Sequence, residues 1–562
     1  MTQSRLRART RIICTVAPPT SEGTAARDRD DYVTGLVAAG MDVARINLSH
    51  ARGAAAFAAG ESPDYAVEED LVARIRAAAA AEGRHVAILM DLQGIKNRLH
   101  LPEAYREAGF ALKTGEALRV RFARVPTNDE FSCDGPVEML PALKAFLGNN
   151  GPVPVALGDG NVFLRCDAVD GDVVELVAPE DSVVLEGKGM TFRGLALPLV
   201  PPLPDKDKVD LAVFAIPALL RGDGDIIALS FTRAATDVHR LREFCLAAVD
   251  WFRHGHLPLR PEDAELLRRI GALRPDLTSR YANGESAFPI IAKIESPLGV
   301  SNIDDVLDAV DAVMVARGDL GLSCAPEDVP RYQKEILAKA RARGRPAVVA
   351  TQMLESMITD PEPRRPEAAD VFNAVLDGAD ALMLSGETAV GGRPHAAVQT
   401  LQRIAQAAER FELGVGGRAL ALRKAHEETQ RLRGHRYADT QWLRITDQLT
   451  FEAVRLADDL RAAAIVGATR SGRTIFNLSR YMPRVPVIAI VPSARIARHL
   501  AMVRAATMVI SPDEDDDVDF EAGLAMIRAQ GLVVDGDVLV VVSTRHGDPT
   551  GATTVLQVRV VG

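Results

Sequence analysis

Two charged residues stand where an apolar run should hide none. The segment PIIAKIE (289–295) carries Lys293 and Glu295 two apart, so on a strand both side chains leave by the same face. Buried there, an ammonium and a carboxylate are costly unless they pair or hold an ion. A second clump ends another apolar run: MDLQGIKNRLH (90–100) stops at Asp91 and then adds Lys96 and Arg98. Arg45, Asn47 and Ser49 alternate along DVARINLSH and share a face, and Asp319 closes the run AVMVARGD. Cations beside carboxylates suit an anionic substrate gripped by guanidinium or ammonium groups, with acids free for a divalent ion.

The elements that must position these residues recur eight times. The runs are RIICTV (11–16), DVARINL (42–48), HVAILMDL (85–92), DIIALSF (225–231), PIIAKIE (289–295), AVMVARG (312–318), PAVVATQM (346–353) and ALMLSGE (381–387). Near-continuous apolar runs suit parallel strands buried on both faces. Helical patterns such as NIDDVLDAV and PRYQKEILAKARARG lie between most of them. The alternation predicts a (β/α)8 TIM barrel. Almost every run turns polar at its C-terminal end, and in such a barrel those ends converge on one rim. A loop-solubilising role accounts for any one of these residues but poorly for all of them together. The rim is read as an active site.

Two segments fall outside that pattern. Residues 99–198 hold alternating stretches such as VPVALGDGNVFLRCDAVDGDVVELV and read as a small β domain inserted between 1–98 and 199–415, the two parts of the barrel. From 416 to 562 strands and helices restart as a separate α/β domain. Residues 251–286, where roughly 4–6 would be ordinary, read as an extra helical excursion. A net charge of −10 argues against general nucleic-acid binding, which needs a basic face. No apolar stretch approaches the length of a membrane helix. Five scattered cysteines with no CxxC pair point to a reducing compartment, so a cytoplasmic location is expected.

Seven segments closely resemble pyruvate kinases: KIES (293–296), VMVARGDLGL (313–322), ATQMLESM (350–357), DGADALMLSGETA (377–389), GMDVARINLSH (40–50), LPDKDKVDL (203–211) and SFTRAATDV (230–238). The resemblance implies a barrel with a β-domain lid and a C-terminal effector domain. It also implies phosphoryl transfer from phosphoenolpyruvate to ADP, giving pyruvate and ATP, the last step of glycolysis. Glu295 and Asp319 would then share Mg²⁺ (or Mn²⁺) with substrate oxygens, and Lys293 would be the catalytic ammonium that stabilises the moving phosphoryl group and the enolate. Backbone N–H groups at Gly318 and Asp319, beside Thr351, would grip the substrate carboxylate. Thr351 and Ser385 match the hydroxyls used for binding and for relaying a proton to carbon. Arg45 and Arg98 would face phosphate, Pro18 and His50 the nucleotide, and Arg193 of the lid would bring positive charge on closure.

Relatives usually read D-T-K-G-P-E-I-R where this chain reads Asp91-Leu92-Gln93-Gly94-Ile95-Lys96-Asn97-Arg98. Lysine at the glutamate position resembles a potassium-independent subclass. An ammonium near the monovalent-cation pocket formed by Asn47, Ser49, Asp91 and the Leu92 carbonyl would replace K⁺, which is therefore not expected to be required. ATRSGRT (468–474) opens a helix after a strand, and Thr469, Ser471, Gly472 and Thr474 match a loop that relatives use for sugar-phosphate effectors. The family also implies a homo-oligomer, a tetramer. Two competing readings are a catalytically weak paralogue that senses a phosphorylated metabolite, and a Mg²⁺-dependent lyase acting on pyruvate or phosphoenolpyruvate enolates.

Overall fold

A computed structural model of the chain describes residues 8–20, 25–123, 129–158, 160–195, 202–256, 258, 260–414, 418–433, 441–511, 520–545, 548 and 552–562. Eight parallel strands close into a barrel in chain order: Arg11–Thr15, Val43–Asn47, Ala87–Asp91, Ile226–Leu229, Ile290–Ile294, Ala312–Ala316, Ala347–Ala350 and Ala381–Leu384. Each overlaps one of the apolar runs. The last five are buried at every position, as a sheet covered on both faces requires.

Strand parity decides what reaches the mouth. Ile12, Ile88, Ile227 and Val313 pack outward with helix residues such as Leu36, Ile75 and Phe244. Ile13, Val43, Leu89, Ala228, Ile291 and Met383 form the other, inward-facing set. Two residues further along these inward columns stand Thr15, Arg45, Asp91, Ser230, Lys293 and Ser385. On these six strands the lower layers are apolar and the top layer is polar, while the inward columns of the sixth and seventh strands end in Ala316 and Ala350, so the barrel interior is a packed core capped by a largely charged floor.

A second, smaller closed barrel of seven strands runs from Arg98–His100 to Lys188–Phe192, inserted between the third and fourth strands. Its strands alternate, as Ala117–Phe122 does, and Leu118, Val120 and Phe122 point into its core. The C-terminal sheet has five strands in the order Ala506–Ile510, Val487–Val491, Ala464–Ala468, Val538–Ser543 and Val555–Val560. Four run parallel and the last is antiparallel. The excursion after helix Ala235–His254 forms helices Pro261–Leu273 and Leu277–Tyr281. Leu266, Leu267, Ile270 and Tyr281 join the main core. Among the described residues no helix is long and apolar enough to cross a membrane.

Candidate active site

The charged floor is an alternating chain of ions. Lys293 Nζ donates to Ser230 Oγ at 2.7 Å and lies 3.2 Å from Asp91 Oδ1 and 3.1 Å from Glu295 Oε1. On the other side of Asp91, Arg45 donates from Nε to Oδ2 at 2.7 Å and from Nη1 to Thr15 Oγ1 at 2.9 Å. Burial works against the Lys293 charge, yet Asp91 and Glu295 outweigh it and hold its pKa above the usual lysine value. Burial likewise opposes ionised Asp91, but Lys293 and Arg45 keep it below the ordinary carboxylate range. Each ion is tolerable only because its neighbours are present.

Glu295 is fully buried and takes the Phe231 N–H on Oε2 at 2.5 Å. Its Oε1 receives no hydrogen bond; Lys293 approaches it as a charge, without hydrogen-bond alignment. Burial raises the Glu295 pKa, Lys293 opposes the shift, and the Asp319 charge adds to it. A half-satisfied buried carboxylate beside a second acid fits a divalent cation. Among the described residues no cluster of three or more His, Cys, Asp or Glu could hold a metal, so substrate oxygens and water would complete this site.

The segment after the seventh strand is strained. Thr351 and Gln352 have φ of 68° and 53°, left-handed values that cost non-glycine residues free energy. Arg317 Nη2 holds both carbonyls, donating to Thr351 O at 2.7 Å and Gln352 O at 3.2 Å, while its Nη1 anchors on Asp370 at 2.6 Å. Thr351 Oγ1 accepts the Gly318 N–H at 2.8 Å and donates to Ala350 O at 2.5 Å. The N–H read as a grip for substrate carboxylate is thus engaged by the Thr351 hydroxyl. Glu387 ties the same segment to the eighth strand, accepting Leu354 N–H at 3.0 Å and Ser385 N–H at 2.7 Å.

The remaining residues of the mouth spread outward. Asn47 Oδ1 accepts the Ser49 N–H at 3.2 Å, and Ser230 Oγ donates to Leu92 O at 2.7 Å. Lys96 Nζ lies 3.9 Å from Asp319 Oδ1, so its ammonium leans towards the acid pair rather than into the Asn47–Asp91 pocket. Arg98 bonds neutral acceptors, Gly187 O at 3.1 Å and Gln93 Oε1 at 3.3 Å. His50 is surface-exposed, yet crowding by its neighbours, then the charges of Arg98, Arg45, Lys206 and Lys96, depress its pKa. Pro18 is exposed beyond the first strand. Arg193 lies at the seam between the two barrels, with Nε 3.5 Å from Leu322 O and its guanidinium 5.1 Å from the Phe163 ring centre. A cleft of about 140 Å³ opens along that seam, lined by Lys96, Asp319, Met190, Phe192, Phe231 and Arg233.

The loop 468–474 is on the C-terminal sheet, outside the barrel. Thr469 Oγ1 accepts the Gly472 N–H at 3.0 Å, Ser471 is exposed, and Thr474 is buried with Thr553 Oγ1 donating to it at 3.4 Å. Gly472 has φ +82° and a Cβ there would meet Leu500 at 2.9 Å, so only glycine suits. The facing loop, 544–554, lies partly outside the described residues. Ser230, Arg317 and Glu387 each stand at the polar end of an apolar run in the sequence, which shows their place on the rim but not their partners.

The chain matches the family model for "Pyruvate kinase, barrel domain" at residues 7–250 and 279–398, and that for "Pyruvate kinase, alpha/beta domain" at 447–559. A pyruvate kinase of Corynebacterium glutamicum is 34% identical, the match covering 99% of this chain and 98% of that protein. One of Geobacillus stearothermophilus is 33% identical over 99% of this chain and 81% of that protein. The crystal structure of a pyruvate kinase from Cryptosporidium parvum superposes with a TM-score of 0.76 at 27% identity, covering 100% of this chain and 98% of that one.

Proposed function

The chain belongs to the pyruvate kinase family and carries its activity, phosphoryl transfer from phosphoenolpyruvate to ADP; from that premise we propose how its own residues do the work. The observation that carries the reading is the Lys293 ammonium held between Asp91 and Glu295 inside the barrel mouth. Phosphoryl transfer demands positioning and charge compensation more than covalent chemistry. As the P–O bond of phosphoenolpyruvate breaks and an ADP oxygen takes the phosphoryl group, negative charge passes to the enolate oxygen. Lys293, kept protonated by its two carboxylate neighbours, compensates that charge without reorganising. Arg45 and Arg98 orient the phosphates, and Arg98, bonded to neutral acceptors, has charge to spare. Thr351 and Gly318 receive the substrate carboxylate, which takes over the N–H now bonded to the hydroxyl. The enolate carbon is then protonated through water ordered by Thr351 and Ser385.

Glu295 and Asp319 would hold the divalent ion that the family generally uses, Mg²⁺ or Mn²⁺, and that ion would neutralise phosphoryl oxygens. The small barrel, taken as residues 99–198, acts as a lid that excludes water, with Arg193 and Pro18 and His50 flanking the nucleotide. Lys96 adds positive charge to the mouth, and the enzyme works without K⁺. The loop bearing Thr469, Ser471, Gly472 and Thr474 takes a sugar phosphate in a tetramer, and the enzyme acts in the cytoplasm. A coupled assay with phosphoenolpyruvate, ADP and Mg²⁺ tests the reading. Lactate formed through lactate dehydrogenase in step with ATP supports it; pyruvate released without ATP would mean a lyase, and binding without turnover a sensor.

A further inference from the structure

Between the fourth and fifth barrel strands the chain takes a detour, and residues 251–278 lie outside the matched family segments. A space-filling insertion would bury apolar side chains and stop there. This one also buries a carboxylate. Asp263, 1% exposed, pairs with Lys208 at 3.2 Å and with Arg240. Lys208, itself buried, belongs to the short helix Asp205–Asp210.

That helix has two holds on the mouth. Asp207 accepts the N–H groups of Gln93 at 3.1 Å and Gly94 at 2.9 Å, where the chain leaves the large barrel for the small one. Lys206, paired with Asp210 at 2.6 Å, donates to Leu48 O at 2.8 Å, in the turn that bears Ser49 and His50. Other ties from the detour reach the chain just after that turn. Arg269 lies 4.7 Å over the Phe57 ring, and Arg274 donates to Pro63 O at 2.6 Å.

We propose that Asp263 is a positioning residue for phosphoryl transfer. Through Lys208 it fixes helix Asp205–Asp210, and through that helix the Gln93–Gly94 hinge and the Leu48–His50 turn, so that the lid closes on the nucleotide in one register. The inference rests on the lid reading above, and Asp263 itself touches no substrate. Amide hydrogen exchange on the full-length enzyme reads the hinge directly. In Asp263→Asn the Gln93 and Gly94 amides exchange about tenfold faster, because the pair that braces their acceptor helix is broken. The KM for ADP rises about fivefold while kcat and the KM for phosphoenolpyruvate stay within about twofold. Asp263→Glu recovers part of both effects, and Val454→Ala, a cavity at a buried position of helix Gln441–Leu460 in the C-terminal domain, produces neither. Should Asp263→Asn fail to fold, Lys208→Met carries the same expectation. Unchanged exchange at Gln93 and Gly94, or the same shifts in Val454→Ala, would overturn the proposal. A wild-type enzyme that forms no ATP would instead remove the functional reading, leaving the exchange data to judge the brace.

Discussion

Asp91→Asn tests the charged floor at its keystone. The substitution keeps size and shape but removes the anion shared by two nearly buried cations, Arg45 and Lys293, each with 11% of its side chain exposed. At an effective dielectric near 20, unit charges about 3 Å apart attract by about 5–6 kcal/mol, most of it offset by the cost of burying them. Losing one partner leaves the others uncompensated and costs roughly 3–5 kcal/mol. For a barrel of this size that lowers the thermal midpoint by roughly 5–8 °C. The sign of the pH effect follows from the shifts. Asp91 lies below its ordinary value of 3.8, so its contribution to stability is present above that value and lost as acid protonates it. Lys293 lies above its ordinary 10.5 because of Asp91 and Glu295. Without Asp91 its pKa falls, and ATP formation acquires an alkaline limb at lower pH than in the wild type. Differential scanning calorimetry and the pH profile of kcat check both arms. A variant that melts within about 1 °C of wild type and keeps the wild-type profile would refute the reasoning, since no broken buried pair is that silent.

Arg317→Met frees the strained Thr351–Gln352 backbone, and kcat/KM falls on the order of 100-fold, because small misplacements of a substrate-binding segment are costly; values within about threefold of wild type would contradict this. Asp207 is raised to about 7 by burial and by neighbouring Asp210. Its contribution is therefore fully present below 3.8 and lost as pH climbs through about 7. Asp207→Asn should flatten urea-unfolding stability across that window, and an unchanged slope would count against the assignment. ATP formation proceeds equally in KCl and in tetramethylammonium chloride at one ionic strength, and Lys96→Glu introduces stimulation by KCl. Several-fold stimulation of the wild type would end the potassium reading.

The barrel was legible because strands buried on both faces must be written as unbroken apolar runs, and the polar residue ending each run marked the mouth. Parity alone puts Arg45 on one face with Asn47 and Lys293 on one face with Glu295. What the sequence withheld was pairing across strands. That Asp91 stands between Arg45 and Lys293 depends on the register of strands far apart in the chain, Arg45 lying 46 residues before Asp91 and Lys293 on a strand beyond the whole inserted domain. The sequence puts the Lys96 ammonium near the Asn47–Asp91 pocket, but its stem lies against Gly189 and its ammonium leans to Asp319. Nothing in Thr351-Gln352 announces a left-handed backbone, because the strain is held by Arg317 from another strand end. The helix in PEDAELLRRIGAL is readable from its periodicity, whereas the burial of Asp263 in its first turn is not.

In the proposed mechanism one ammonium, fixed between two acids, carries the charge of the reaction. Steady-state ATP formation by Lys293→Met, with folding verified by calorimetry, decides whether it does. Loss of the charge should reduce kcat on the order of 1,000-fold with little change in the KM for ADP. A folded Lys293→Met enzyme working within about tenfold of wild type would rule out that role for the ammonium.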